Sequence, residues 1–271
     1  VRILRKRVCE KMLNCSEHPQ GYTPLMLAIQ VRCMPAITLL LRDERTNVNH
    51  IAINGQTALS VACCCGEPND VQSLLTRKAT PYKMCEAMVP PLFMAAQTNR
   101  ADSASMLLAA RALVDELEPE ERIGFARPPV HIASCNGHTS VLGVLLSARA
   151  NLLIRTAREG ATATFYAAEH GHTECLRMLL EAVPRECLAD HVNTRKHAGQ
   201  TPLYIAAKNG HSASVELLLE HNAAYGLDLP RTHDQMTPLI MAAHGGHMPV
   251  GAYHASPLPP PSPPTPTPHP H

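Results

Sequence analysis

The chain has 271 residues, a formal net charge of +1, 3% aromatic residues and no Trp. A near-neutral chain with so few stacking rings gives no reason to expect nucleic acid, and no run of about 18 apolar residues exists to span a membrane. The ten cysteines include no Cys-x-x-Cys pair, so they read as thiols of a reducing compartment, not as a disulfide scaffold.

Residues 1–20 predict a basic helix, with Ile3, Leu4, Val8, Met12 and Leu13 among Arg2, Arg5, Lys6, Arg7 and Lys11. They read as the remnant outer helix of an earlier unit or as an N-terminal cap. The sharper reading of Arg5-Lys6-Arg7 is a nuclear-import or anionic-surface patch. The first residues hold no apolar core like that of a signal peptide. The chain starts at Val1, and a fragment of a longer protein is one expectation from that.

Residues 21–250 repeat. The clearest copy, residues 199–211, reads Gly-Gln-Thr-Pro-Leu-Tyr-Ile-Ala-Ala-Lys-Asn-Gly-His, and Val-Glu-Leu-Leu-Leu follows at 215–219. Thr201 predicts an N-cap, its hydroxyl accepting from an orphan backbone N–H. Pro202 follows at the first helical position, where no N–H is needed. Leu203, Ile205 and Ala206 form an apolar face, and Asn209-Gly210 ends the helix because Gly tolerates the left-handed conformation. A second helix runs through Val215, Leu217, Leu218 and Leu219. Two such short helices cannot bury their apolar faces alone, so the unit must stack on copies of itself.

The residues equivalent to Leu203 are Leu25, Leu59, Leu92, Val130, Thr164 and Leu239, with spacings along the chain of 34, 33, 38, 34, 39 and 36. Eight residues after each comes Cys33, Glu67, Arg100, His138, His172, His211 or His247. Fifteen and sixteen residues after come paired leucines, from Leu40-Leu41 to Leu218-Leu219, in six of the seven units. A constant internal offset beside a variable connection marks rigid helix pairs joined by tolerant loops. The Thr-Pro pair is intact only at Thr23-Pro24, Thr201-Pro202 and Thr237-Pro238. The second, third and fifth units are therefore expected to be less ideal, the fifth also for its polar Thr164.

Between units three and four lies an acidic run, residues 115–121, read as solvated loop. The connection 182–195 is also long. The last unit has His254-Ala255 where paired leucines belong. Residues 257–271 are proline-rich and predict an extended polyproline or disordered tail. The organisation expected is thus 1–20, a repeat array over 21–250, and a tail over 251–271.

Residues 199–219 resemble one ankyrin repeat, whose pattern is Gly-x-Thr-Pro-Leu-His-x-Ala-Ala-x-x-Gly-His with an outer helix ending in Leu-Leu. The resemblance covers about 21–250, although the His of Thr-Pro-Leu-His occurs only as His131. It implies an all-α solenoid of stacked helix–turn–helix pairs. It also implies a β-turn finger ahead of each inner helix, here at 51–55, 155–160, 194–199 and 230–236. Fingers and inner helices would line one concave face, so the resemblance implies a non-catalytic protein-interaction scaffold. The variable contact positions would be Tyr22, Gln56, Val89, Gln200 and Met236, then Gln30, Cys64, Gln97, Asn136, Glu169, His170, Lys208, Asn209 and His244.

Chemistry is not indicated. His170, His172 and Cys175 suggest a metal set, but the repeat register makes His172 a turn position and Cys175 a packing position. His131 and Cys135, four apart on one helix, are placed to meet, yet no orienting group or oxyanion site accompanies them. In Cys63-Cys64-Cys65, the register buries the first and turns the other two outward. No phosphate loop, dinucleotide fingerprint, HExxH or GxSxG occurs. No catalytic residue, cofactor or metal is expected.

Charge is nevertheless uneven. The fingers of the last three repeats carry Arg155, Arg158, Arg195, Lys196, His197, Arg231 and His233. Lys208 and Asn209 lie on an inner helix between them, and His170 and His244 share the face. Acidic residues there are few, chiefly Glu159, Glu169 and Asp234, and a concave face of one sign concentrates ligands of the other. The expected partner is an acidic segment of a protein, with 115–121 as an intramolecular competitor, and the chain is expected to be a cytoplasmic monomer. Two alternatives remain: a regulatory or targeting module of a larger enzyme or channel, and the substrate-recruiting arm of a ubiquitin ligase.

Overall fold

A computed structural model describes residues 13–16, 18–82, 88–116, 127–221, 237–238 and 240–241. The basic N-terminal stretch up to residue 12, the acidic run from 117, the fourth finger, most of the seventh repeat and the tail lie outside the described residues.

Among the described residues there are thirteen complete helices and no strand. Repeat one pairs α1 (Pro24–Gln30) with α2 (Met34–Arg42), and repeat two pairs α3 (Ala58–Cys65) with α4 (Pro68–Thr76). Repeat three pairs α5 (Pro91–Gln97) with α6 (Ala101–Ala109), and repeat four pairs α7 (Pro129–Cys135) with α8 (Thr139–Ser147). Repeat five pairs α9 (Ala163–Glu169) with α10 (Thr173–Ala182); α11 (Arg185–Val192) then intervenes. Repeat six pairs α12 (Pro202–Asn209) with α13 (Ser212–Glu220). Each inner helix packs on the next inner helix and each outer helix on the next outer helix.

Local chemistry starts each inner helix. Thr23, Thr57, Thr162 and Thr201 each accept an N–H three residues on with the side-chain hydroxyl, the last from Tyr204 at 3.1 Å. Repeats three and four have Pro90 and Pro128 at the cap, which offer no such hydroxyl. There Pro91 and Pro129 at the first helical position remove one orphan N–H instead.

The core is a single row through the stack. Leu25, Leu59, Leu92, Val130, Thr164 and Leu203 are all buried, so the register read from the sequence is the packing register. Beside them stand small residues such as Ala95-Ala96, Ala167-Ala168 and Ala206-Ala207, also buried, which let successive inner helices approach closely. On the outer layer, the first leucine of each pair is buried in repeats two to six, as with Leu74 and Leu218. Each fully buried leucine stabilises the stack by about 1.5–3 kcal/mol.

The repeats expected to be less ideal are rescued locally. In repeat two the turn reads Gly66-Glu67-Pro68, and buried Asp70 accepts the Glu67 N–H at 3.0 Å. In repeats one, three, four, five and six the corresponding N–H returns to the inner helix, as from His211 to the Ala206 carbonyl at 2.9 Å. In repeat three, Asn99 takes the left-handed conformation (φ 57°) that Gly210 takes in repeat six (φ 75°). In repeat five, Thr164 finds a partner in His191 of α11, a helix within the long connection 182–195.

Candidate interaction face

The turns that close the inner helices are built by glycine and histidine together. Gly137 has φ +72°, and a Cβ there would come within 2.7 Å of the His172 ring of the next repeat. Gly171 repeats this against His211, at 2.6 Å. Each ring N–H in turn donates to a carbonyl of the preceding inner helix or its cap: His138 Nδ1 to Ala96 (2.8 Å), His172 Nε2 to Cys135 (3.0 Å), His211 Nε2 to Glu169 (3.1 Å). Burial lowers the His172 pKa, which disfavours the charged ring. Among the described residues no group of three or more His, Cys, Asp or Glu is placed to hold a metal ion.

The fingers at 51–55, 155–160 and 194–199 form as expected. Their tight turns close through Gly55 N–H to the Ala52 carbonyl, Gly160 to Thr156 and Gly199 to Lys196. Adjacent fingers are bonded, as by the His197 N–H to the Glu159 carbonyl at 2.7 Å. No described helix is long and apolar enough to cross a membrane.

Of the expected contact positions, Gln30, Gln97, Asn136, His170, Lys208 and Asn209 are exposed, and Gln56, Cys64 and Glu169 are half-buried. Tyr22, Val89 and Gln200 are buried and so do not line an open face. The Tyr22 hydroxyl is spent on Gln56 and Asn54, tying the base of one finger to the next. Cys64 and Cys65 do not face fully outward: both are half-buried, and the Cys65 thiol donates to the Val61 carbonyl at 3.3 Å. Met236 and His244 lie outside the described residues, as do Arg231 and His233.

The basic set has a definite geometry. Arg155 is exposed; its Nε donates to the Gly160 carbonyl at 2.9 Å and its Nη2 to the Arg195 carbonyl. Lys196 is half-buried with Nζ 4.9 Å from the Phe165 ring centroid. Arg195 is half-buried, while Arg158, His197 and Lys208 are exposed. The His197 ring lies on Gly160 as the turn histidines lie on theirs. Asn209 Nδ2 donates to the Glu169 carbonyl at 2.7 Å. Arg155 and Lys196 are thus seated on carbonyls and a ring face, contacts that position a cation without cancelling its charge.

Sequence reasoning missed Arg127. Its guanidinium lies 4.6 Å from the Tyr166 ring centroid, at the finger base ahead of Pro128-Pro129-Val130. The signal was available, since Arg127 occupies the register of Tyr22 and Gln200. The pairing of His131 with Cys135 does not form. His131 is buried and its Nε2 donates to the Ala161 carbonyl at 3.3 Å, while Cys135 Sγ faces His170 Nε2 at 3.9 Å. Burial pushes His131 down to about 4.

A family model described as ankyrin repeats (three copies) matches residues 2–85, 92–187 and 185–251. The chain belongs to the ankyrin repeat family. Three relatives carry similar stretches. The human transient receptor potential cation channel subfamily A member 1 is 30% identical over 148 residues, 55% of this chain and 12% of the channel. A probable E3 ubiquitin-protein ligase of Oryza sativa subsp. japonica, XBOS31, is 33% identical over 108 residues, 40% of this chain and 22% of the ligase. The Caenorhabditis elegans ankyrin repeat and KH domain-containing protein mask-1 is 28% identical over 199 residues, 71% of this chain and 7% of that protein. The chain therefore spans less than a quarter of each of these relatives. What they share with it is the ankyrin array, which is not itself catalytic.

Proposed function

We propose that this ankyrin array is a protein-interaction scaffold whose concave face, over repeats four to six, binds an acidic segment of a partner protein. The observation that carries the reading is the seating of Arg155 and Lys196 on carbonyls and a π face, with Arg158 and Lys208 also exposed. The contact set is Arg155, Arg158, His170, Arg195, Lys196, His197, Lys208 and Asn209. Arg231, His233 and His244 extend it beyond the described residues. An intracellular monomer, with no catalytic role for the array, belongs to the same reading; the eight free thiols among the described cysteines support the compartment. Asp115 accepts the Asn151 N–H at 3.0 Å, so the acidic run begins tied to the next loop. Its reach as a competitor starts after that residue.

The test is binding of a synthetic glutamate decamer. Arg195 and Lys196 are poor choices for reversal, because both are half-buried at the finger base. Arg158→Glu with Lys208→Glu changes exposed charges instead. Affinity should fall about tenfold or more in the double variant and weaken from low to physiological salt. Equal affinity in both chains at both salts overturns the reading.

The relatives favour a second reading. A cation channel and a ubiquitin ligase each carry a similar array as a minor part of their length. The array would then recruit or regulate on behalf of a larger protein. Sequencing the full transcript decides it: a further catalytic, channel or adaptor-binding domain supports this reading, and a stop without one removes it.

A further inference from the structure

Cys135 ends α7, and His170 caps α9 one repeat further on; the thiol is half-buried and the imidazole exposed. His170 Nδ1 lies 3.0 Å from the Tyr166 carbonyl. A carbonyl only accepts, so the ring proton sits on Nδ1. The Nε2 lone pair is then left facing Cys135 Sγ at 3.9 Å, and the thiol donates to it. A nucleophile, a base within reach and a group that fixes the base's tautomer are together. Burial, the largest influence, favours the thiol, as does the Glu169 carboxylate, while the Arg127 guanidinium beside the sulfur favours the thiolate. The resting group is therefore a thiol whose proton has a receiver.

We propose that Cys135 is a thiol-exchange site that takes up glutathione from glutathione disulfide, with His170 as its base. The thiol proton passes to His170 Nε2. The thiolate attacks one sulfur of the disulfide, forming a new bond to Cys135 Sγ as the original S–S bond breaks. The departing glutathione thiolate takes the proton from the imidazolium. Cys135 is oxidised to the mixed disulfide, and the departing half is the reduced product. The co-reactant carries more carboxylates than amines, which suits the Arg127 guanidinium beside the sulfur, with Glu169 the opposing charge.

The other described cysteines lack this arrangement. Cys63 and Cys175 are buried, and Cys33 and Cys187 are exposed. Among the described residues, Cys135 is the cysteine with an imidazole nitrogen in thiol hydrogen-bond reach. An adduct there covers the ends of inner helices four and five, beside Asn136 and His170, and excludes an acidic segment from them. That consequence rests on the proposed partner reading; the exchange chemistry does not.

The experiment treats the native full chain with glutathione disulfide, quenches with a maleimide and maps each cysteine by peptide mass. Cys135 should gain glutathione. His170→Gln, at an exposed position, should slow Cys135 about tenfold or more and leave Cys33 and Cys187 unchanged. The wild-type rate should also persist to lower pH than the variant's. An equal Cys135 rate and pH profile in both chains, or no adduct at Cys135 while Cys33 and Cys187 react, overturns the proposal. A second arm measures glutamate-decamer binding by the Cys135 adduct and by Cys135→Ser. Weaker binding by the adduct supports the regulatory consequence. Equal binding, with exchange at Cys135 intact, overturns the partner reading at these helix ends and leaves the exchange site standing.

Discussion

Thr164 Oγ1 and His191 Nε2 lie 2.6 Å apart in the core of repeat five, both side chains buried. Thr164 stands where the other described repeats place Leu or Val. A hydroxyl there is costly unless it is bonded, and α11 supplies the bond. Among the extra residues between repeats five and six, Val183, His191 and Val192 thus join the core. Removing either partner leaves a buried polar group unpaired. His191→Ala and Thr164→Val should each cost about 1–3 kcal/mol. The double variant should cost less than their sum, with a coupling of about 0.5–3 kcal/mol. Denaturant melts of the four chains measure this, and strict additivity would show that the pair does not act as one.

Stability should fall with acid for a related reason. Burial lowers the pKa of His131 to about 4 and also lowers that of His191, against about 6.5 in the unfolded chain. The folded state therefore binds fewer protons than the unfolded state in between. The contribution of each neutral ring is fully present above about pH 6.5 and is lost as pH drops through that range. For His131 the loss continues down to about pH 4, on the order of 3 kcal/mol in total. Denaturant midpoints at pH 7.5, 6 and 5 should decline, and His131→Gln should decline less. A flat profile between pH 7.5 and 5 would contradict the buried, neutral placement.

The glycine–histidine turns give a third prediction. Gly137→Ala forces a Cβ into φ +72° and against the His172 ring. It should cost more than about 1 kcal/mol, the conformational part alone being about that size. Adding His172→Ala removes the contact but not the backbone cost, so the Gly137→Ala penalty should shrink without vanishing. Thermal melts of the single and double variants test it. An unchanged penalty in the double variant would mean that the ring does not rest on Gly137.

Much of the fold was legible because ankyrin packing repeats its offsets. The row from Leu25 to Leu203 came directly from spacing, and so did the turn role of His172. What stayed hidden depended on contacts between repeats. Spacing along one helix suggested His131 beside Cys135, yet stacking brings in His170 from the next repeat. The contact positions Tyr22, Val89 and Gln200 were assigned by family register, but here they fill finger bases. Helix α11 escaped notice because its apolar residues are few, and one of its core contacts is a histidine.

The most direct test of the interaction reading is a footprint. Amide chemical shifts are followed while the glutamate decamer is titrated into the full chain. The account predicts perturbations along the fingers at 155–160 and 194–199 and near the end of α12, with the outer helices α8, α10 and α13 silent. Perturbations confined to the outer helices, or none at saturating peptide, would contradict it.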